Sequence, residues 1–175
     1  MKHVISSCSV AALALACAAG DAAPAARRTD VPCAPLAGEL PPDYRDWRLV
    51  SVAREEGELD DIRAVLGNDA AIRAFREGRR PFPDGAMLVR LAWSYDSSRE
   101  NDAAFGRRQS FVAGHPKNGV QLMVKDSVEH APTGGWEYAQ FEDGGPLRDA
   151  ALIRRCSTCH EAVADRDSVF TRYAR

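Results

Sequence analysis

The strongest constraint on this chain is a five-residue run near its C-terminus, Cys156-Ser157-Thr158-Cys159-His160. On a helix, residues three and four apart share a face, so Cys156, Cys159 and His160 point to one side. Two thiols and an imidazole on one face form the C-x-x-C-H pattern of covalent haem attachment. The thiols are placed to add to the two vinyl groups of a haem. The imidazole is placed to bind the iron, leaving the opposite iron face to the rest of the fold. The pattern predicts one covalent haem c, with Cys156 and Cys159 as attachment residues and His160 as the proximal iron ligand.

Two other uses of a C-x-x-C pair fit less well. A structural zinc site needs four ligands at paired spacings, and the sequence has no second C-x-x-C and no H-x-x-x-H. A thioredoxin-like redox pair belongs near the start of a βαβ unit, not at the end of a chain.

The first 20 residues read as a secretory signal peptide, with Lys2 as the positive start and Val10 to Ala19 as a short apolar core. That core is too short to span a bilayer as a helix. Ala14-Leu15-Ala16 offers a cleavage site, and the same place, ending at Cys17, is a loose lipobox that would anchor the chain by lipidation of Cys17. Export agrees with the haem reading and predicts a periplasmic location. Residues 21–41, rich in Ala and Pro, read as a flexible linker, and Cys33 within it as an idle thiol. Residues 42–175 are long enough for one domain with a real core. With 23 basic against 25 acidic residues, the charge balance gives no footprint for nucleic acid or anionic lipid.

Within that domain the pattern alternates short strands with Gly/Pro turns. Asp43 to Trp47 reads as a helical turn with Tyr44 and Trp47 packing inward, and Leu49, Val50 and Val52 as a strand. Ile62 to Leu66 is a short apolar run ended by Gly67. Asn68 to Glu77 is a helix capped by Asn68, with an apolar stripe at Ala71, Ile72 and Phe75 and a stop at Gly78. Met87 to Tyr95 is the strongest strand. Period two places Met87, Val89, Leu91 and Trp93 on one face, expected to meet the core, and Leu88, Arg90 and Ala92 on the other. Residues 96–109 read as loop, 110–112 as a short strand, 114–119 as a turn, and Val120 to Lys125 and Trp136 to Phe141 as strands. A final helix is expected from Leu147 to His160, with Pro146 at its first position. Val169, Phe170 and Tyr173 follow and would pack beside the haem edge. The sum is an α+β class, a mainly antiparallel sheet with flanking helices and a C-terminal haem-binding helix.

Several stretches together resemble the cytochrome P-460 / cytochrome c′-beta family: DYRDW, GNDAAIRAFREG, PFPDG, MLVRLAW, VQLMVKDS, TGGWEY, CSTCH and DSVFTRY. The resemblance implies a periplasmic homodimer with a c-type haem, the motif histidine (here His160) as proximal ligand and an open distal side. One branch of that family oxidises hydroxylamine, with a lysine cross-linked to the haem ring and a glutamate near the iron. The other lacks the cross-link and binds small gases such as nitric oxide.

Matched to these motifs, the lysine position falls on Arg90 and the glutamate position on Gln121. Arginine stays protonated and is a poor nucleophile. Glutamine has no ionisable carboxylate and cannot serve as a general base, although it still hydrogen-bonds a ligand. The expectation is therefore a His-ligated haem protein with an open distal site that binds or transforms small nitrogen-oxide ligands. The alternatives are a hydroxylamine-oxidising oxidoreductase and an electron-transfer cytochrome served by a periplasmic redox partner. Arg90 would meet an anionic ligand or a haem propionate. Met123, on the face of Gln121, is a further distal candidate set against plain core packing. His115 and His130 read as surface histidines, Phe105 and Phe111 as candidate pocket walls, and Lys125 with Asp126 as a strand-end ion pair.

Overall fold

The computed structural model describes residues 39–143, 145–147 and 149–174. The expected signal peptide, most of the expected linker, Cys17 and Cys33 lie outside the described residues. The domain is an α+β fold built on a six-stranded antiparallel sheet whose strand order follows the chain. The strands are β1 (Arg48–Glu55), β2 (Asp61–Gly67), β3 (Met87–Ser97), β4 (Phe111–Lys125), β5 (Trp136–Glu142) and the short β6 (Gly145–Pro146). Three helices accompany them, α1 (Asp69–Glu77), α2 (Arg99–Phe105) and α3 (Ala150–Glu161).

Helix α1 begins and ends where its side chains dictate. Asn68 Oδ1 accepts from the Ala71 amide at 3.0 Å and from the Met87 amide at 3.1 Å. Its Nδ2 donates to the Gly85 carbonyl at 2.8 Å. One cap thus ties the helix start to the start of β3. Gly78 closes the helix with φ +63, a left-handed turn that a residue without Cβ adopts freely. Ala71, Ile72, Ala74 and Phe75 are buried against one face of the sheet.

Both sheet faces carry core, which revises the one-sided expectation for β3. Leu88 joins Val50, Ile72, Phe75, Phe82, Trp136 and Tyr138 in the α1-side cluster. Met87, Val89, Leu91, Leu122, Val124 and Phe141 form a second cluster on the other face, where Tyr44 and Trp47 pack. Burying each of the larger side chains stabilises the fold by roughly 1.5–3 kcal/mol.

Three segments differ from the sequence expectation. Residues 99–105 are helical, capped by Ser98 and ended by Gly106 at φ +69. This helix buries none of its residues, so it has no apolar stripe to betray it. The expected strand, turn and strand over 110–125 are one strand, β4. Asn118 and Gly119 do adopt left-handed φ of +59 and +57. The ladder absorbs them as a bulge, with Leu91 opposite Val120 but Trp93 opposite Pro116. Finally, α3 starts at Ala150 with Asp149 as its cap, whose carboxylate accepts from the Ala151 amide at 2.8 Å. Pro146 lies in β6 instead of opening the helix.

Candidate functional site

Helix α3 packs against β5 and buries none of its residues. Cys156 is half-buried against the α1-side core, and Cys159 is exposed; no disulfide joins them. Burial pushes the Cys156 thiol up, with Arg155 only partly opposing it. That is the reverse of the lowered pKa that makes a redox-active thiolate. Among the described residues no group of three or more Cys, His, Asp or Glu side chains gathers as a metal-ion cage.

His160 sits between two aromatic rings, Tyr138 at 5.0 Å and Phe170 at 5.1 Å between centroids. Its Nδ1 is 2.7 Å from the Ser168 carbonyl oxygen. A carbonyl can only accept, so Nδ1 carries the proton and Nε2 keeps its lone pair. Burial pulls the imidazole pKa down, against the opposing pull of the Ser168 bond. Burial likewise pushes the Tyr138 phenol far above its ordinary range, so it remains a neutral hydroxyl.

The Ser168 carbonyl is held in place by its neighbour. Asp167 and Ser168 both have left-handed backbones, with φ +56 and +59. Asp167 Oδ1 meets Lys125 Nζ at 2.6 Å, its Oδ2 accepts from the Phe82 amide at 2.7 Å, and its carbonyl accepts from Trp136 Nε1 at 2.8 Å. Lys125, expected to pair with Asp126, pairs with Asp167 instead. Asp126 Oδ1 accepts from the amides of Val128 and Glu129.

A polar row crosses the same sheet face. Gln140 lies two residues beyond Tyr138 on β5 and therefore points the same way. Gln121 Nε2 donates to Gln140 Oε1 at 2.9 Å, and Arg90 Nη1 donates to Gln121 Oε1 at 2.7 Å. Arg90 Nη2 reaches Asp61 Oδ2, whose other oxygen takes Arg63 Nε at 2.8 Å. The two distal candidates are thus cross-strand neighbours in direct contact, as their ladder pairing requires. Burial lowers the Arg90 pKa and the Arg63 charge adds to this, while Asp61 opposes both. Arg90 Nε is buried and, among the described residues, has no partner.

The remaining candidates fall elsewhere. Met123 pairs with Leu88 and Tyr138 and packs against the α1-side core. His115 Nδ1 is 3.0 Å from Ser94 Oγ on the exposed part of β4, and His130 faces Glu137 at 3.6 Å. Phe105 and Phe111 are both exposed.

Sequence reasoning missed Asp61, Gln140, Asp167 and Ser168, and gave Lys125 a different partner. Period two places Asp61 and Arg63 on one face of β2, a usable signal. Their meeting with Arg90 depends on strand register, which a single sequence specifies weakly in a polar row.

These features define an α+β protein with a thiol–thiol–imidazole helix set against a sheet face that carries a polar row. Residues 41–171 match the family model described as Cytochrome P460. The chain belongs to the cytochrome P460 family, which implies a haem cofactor and its iron. No curated protein matches the chain. The residues present fit such a group. Nε2 of His160 is a neutral nitrogen donor with its tautomer set from behind. The helix beside it is apolar in part yet has no fully buried residue. The orphaned Arg90 Nε–H is a donor suited to an oxygen of a bound group.

Proposed function

We propose that the protein is a periplasmic c-type haem protein that binds small nitrogen-oxide ligands such as nitric oxide. Cys156 and Cys159 carry the thioethers, and His160 Nε2 is the proximal ligand. The observation that carries this reading is the His160–Ser168 bond. It commits Nδ1 and presents Nε2 on the helix that bears both thiols. A haem held by these residues would supply an iron able to bind a small ligand.

Arg90 and Gln121 are the side chains this reading turns toward such a ligand. Arg90 and Gln121 hold each other, and Asp61 fixes the guanidinium from the other side. Arg90 Nε–H then offers a hydrogen bond to a ligand oxygen, while Tyr138 and Phe170 limit the rotation of the imidazole. With both terminal nitrogens engaged and the charge retained, Arg90 is no nucleophile, and Gln121 is no base. Both points weigh against hydroxylamine oxidation by way of a lysine cross-link. The reading of the first 20 residues as a signal peptide supports the periplasmic location, and the resemblance supports a homodimer.

The test is the absorption of the purified, reduced protein with and without nitric oxide, together with its mass after denaturation. Haem retained on the denatured chain and a five-coordinate spectrum that changes with nitric oxide are expected. A strongly red-shifted band would reveal a ring cross-link and favour the oxidase. A six-coordinate spectrum indifferent to nitric oxide would favour an electron carrier with a redox partner.

A further inference from the structure

A cavity of about 420 Å³ lies where the end of α1, the 79–83 segment and the C-terminal segment meet. Its floor is aromatic. The Phe75 and Tyr173 rings stack with centroids 6.0 Å apart, and Phe82 stands edge-on to Phe75 at 4.9 Å. Four arginines line it, Arg76, Arg80, Arg166 and Arg172, and no carboxylate does. The chain as a whole has a net charge of −2, so this concentration of positive charge does not follow from general basicity.

Arg76 and Arg80 are positioned by contacts that leave their charge unneutralised. Arg76 Nε donates to the Tyr173 hydroxyl at 3.2 Å. Arg80 lies over Phe82 at 4.1 Å and over Phe75 at 5.1 Å, a cation–π arrangement that fixes the guanidinium plane. Among the described residues, none of the four makes an ion pair. Asp167, whose field reaches Arg80, is already bound by Lys125 and by the Phe82 amide.

Four guanidiniums around one concavity repel one another, and an anion relieves that repulsion. Each guanidinium also matches carboxylate or phosphate oxygens in pairs. We propose that this cavity binds a small multivalent oxyanion, one bearing two or more carboxylate or phosphate groups, at a site separate from the haem. Its lining includes none of His160, Tyr138, Phe170 and Ser168, the groups that surround the imidazole, so the proposal stands independently of the function proposed above.

The test is calorimetric titration of the protein as purified, with citrate and with pyrophosphate as probes and sodium chloride at matched ionic strength as the control. Saturable binding of either probe at one site per chain is expected. The tighter probe then tells carboxylate from phosphate. Arg166→Ala with Arg172→Ala should weaken that binding at least tenfold while leaving the haem absorption unchanged. Arg80→Gln, a separate variant on the 79–83 segment, should weaken it as well. Heats no different from the chloride control would overturn the proposal, as would full affinity in a folded double variant. So would a haem band shifted by the arginine changes, because the arginines would then face the haem carboxylates.

Discussion

Lys125 Nζ lies 2.6 Å from Asp167 Oδ1, with the two side chains only 4% and 11% exposed. The partners are 42 residues apart in sequence. Through the adjoining Ser168 carbonyl the pair sets the position of the His160 ring. Lys125 also lies 5.0 Å from the Trp136 ring and donates to the Gly134 carbonyl at 2.8 Å. The buried ammonium thus joins the end of β4, the start of β5 and the segment that follows α3.

Removing one partner of such a pair strands the other charge away from water. Lys125→Met should destabilise the protein by about 3–5 kcal/mol, read as a lowered midpoint in urea. The double variant with Asp167→Asn should cost clearly less than the sum of the two single changes. On the proposed ligation, loss of the Ser168 acceptor weakens the Nδ1–H bond and makes His160 a poorer donor. The haem-loaded Lys125→Met protein should therefore show a raised iron reduction potential.

Asp61 is fully buried between Arg63 and Arg90. Arg90→Met leaves it with a single partner and should destabilise by about 3 kcal/mol. Arg90→Lys keeps a charge but loses the planar fork that bridges Asp61 and Gln121, so it should recover only part of that loss. Equal stability of Arg90→Lys and wild type in chemical denaturation would show that the bridge contributes nothing.

Asp102 joins α2 to the start of β4. The Gln109 amide, then the Ser110 amide and the Ser97 hydroxyl, hold its carboxyl below the ordinary range. The unfolded chain has the higher pKa and takes up the proton first. The stabilisation is complete above the ordinary carboxylate range and is lost as pH falls through the lowered folded value. The protection of the Gln109 and Ser110 amides, measured against their intrinsic exchange rates at each pH, should fall in acid, and Asp102→Asn should remove that pH dependence.

Gly119 sits in the β4 bulge at φ +57, where an added Cβ would fall 2.1 Å from the Phe141 carbonyl oxygen. The obstacle is backbone and cannot swing aside. Gly119→Ala should cost about 2 kcal/mol or more and loosen the β4–β5 pairing, measurable as faster amide exchange in β5.

Much of the fold was legible because local chemistry and tertiary structure agree. Asn68 and Gly78 bound α1 as capping rules require, and the alternating runs at 87–95, 120–125 and 136–141 became β3, the end of β4 and β5. The failures share a cause. The Asn118-Gly119 pair carries the left-handed preference of a hairpin turn, yet cross-strand pairing on both sides converts it to a bulge. Helix α2 is set by its Ser98 and Gly106 caps, and it has no apolar stripe to find. In the site, Cys156, Cys159 and His160 are close in sequence and declare themselves by spacing. The contact of Arg90 with Gln121 was reachable only through the family resemblance. Asp61 and the Lys125–Asp167 pair join residues 29 and 42 positions from their partners, and no local pattern encodes them.

The sequential order of the sheet has a consequence for how the chain matures. Every strand pairs with its neighbour in sequence, so the sheet grows by short closures that demand little loop entropy. Only the last stretch must travel back across the domain. There the Ala174 amide reaches the Val50 carbonyl at 2.9 Å and Asp167 reaches Lys125 and Phe82. The His160 helix and its fastening segment thus come last, in sequence and in topology. A chain truncated after β6 keeps all six strands but loses the clasp that orients the imidazole, which separates building the platform from arming it.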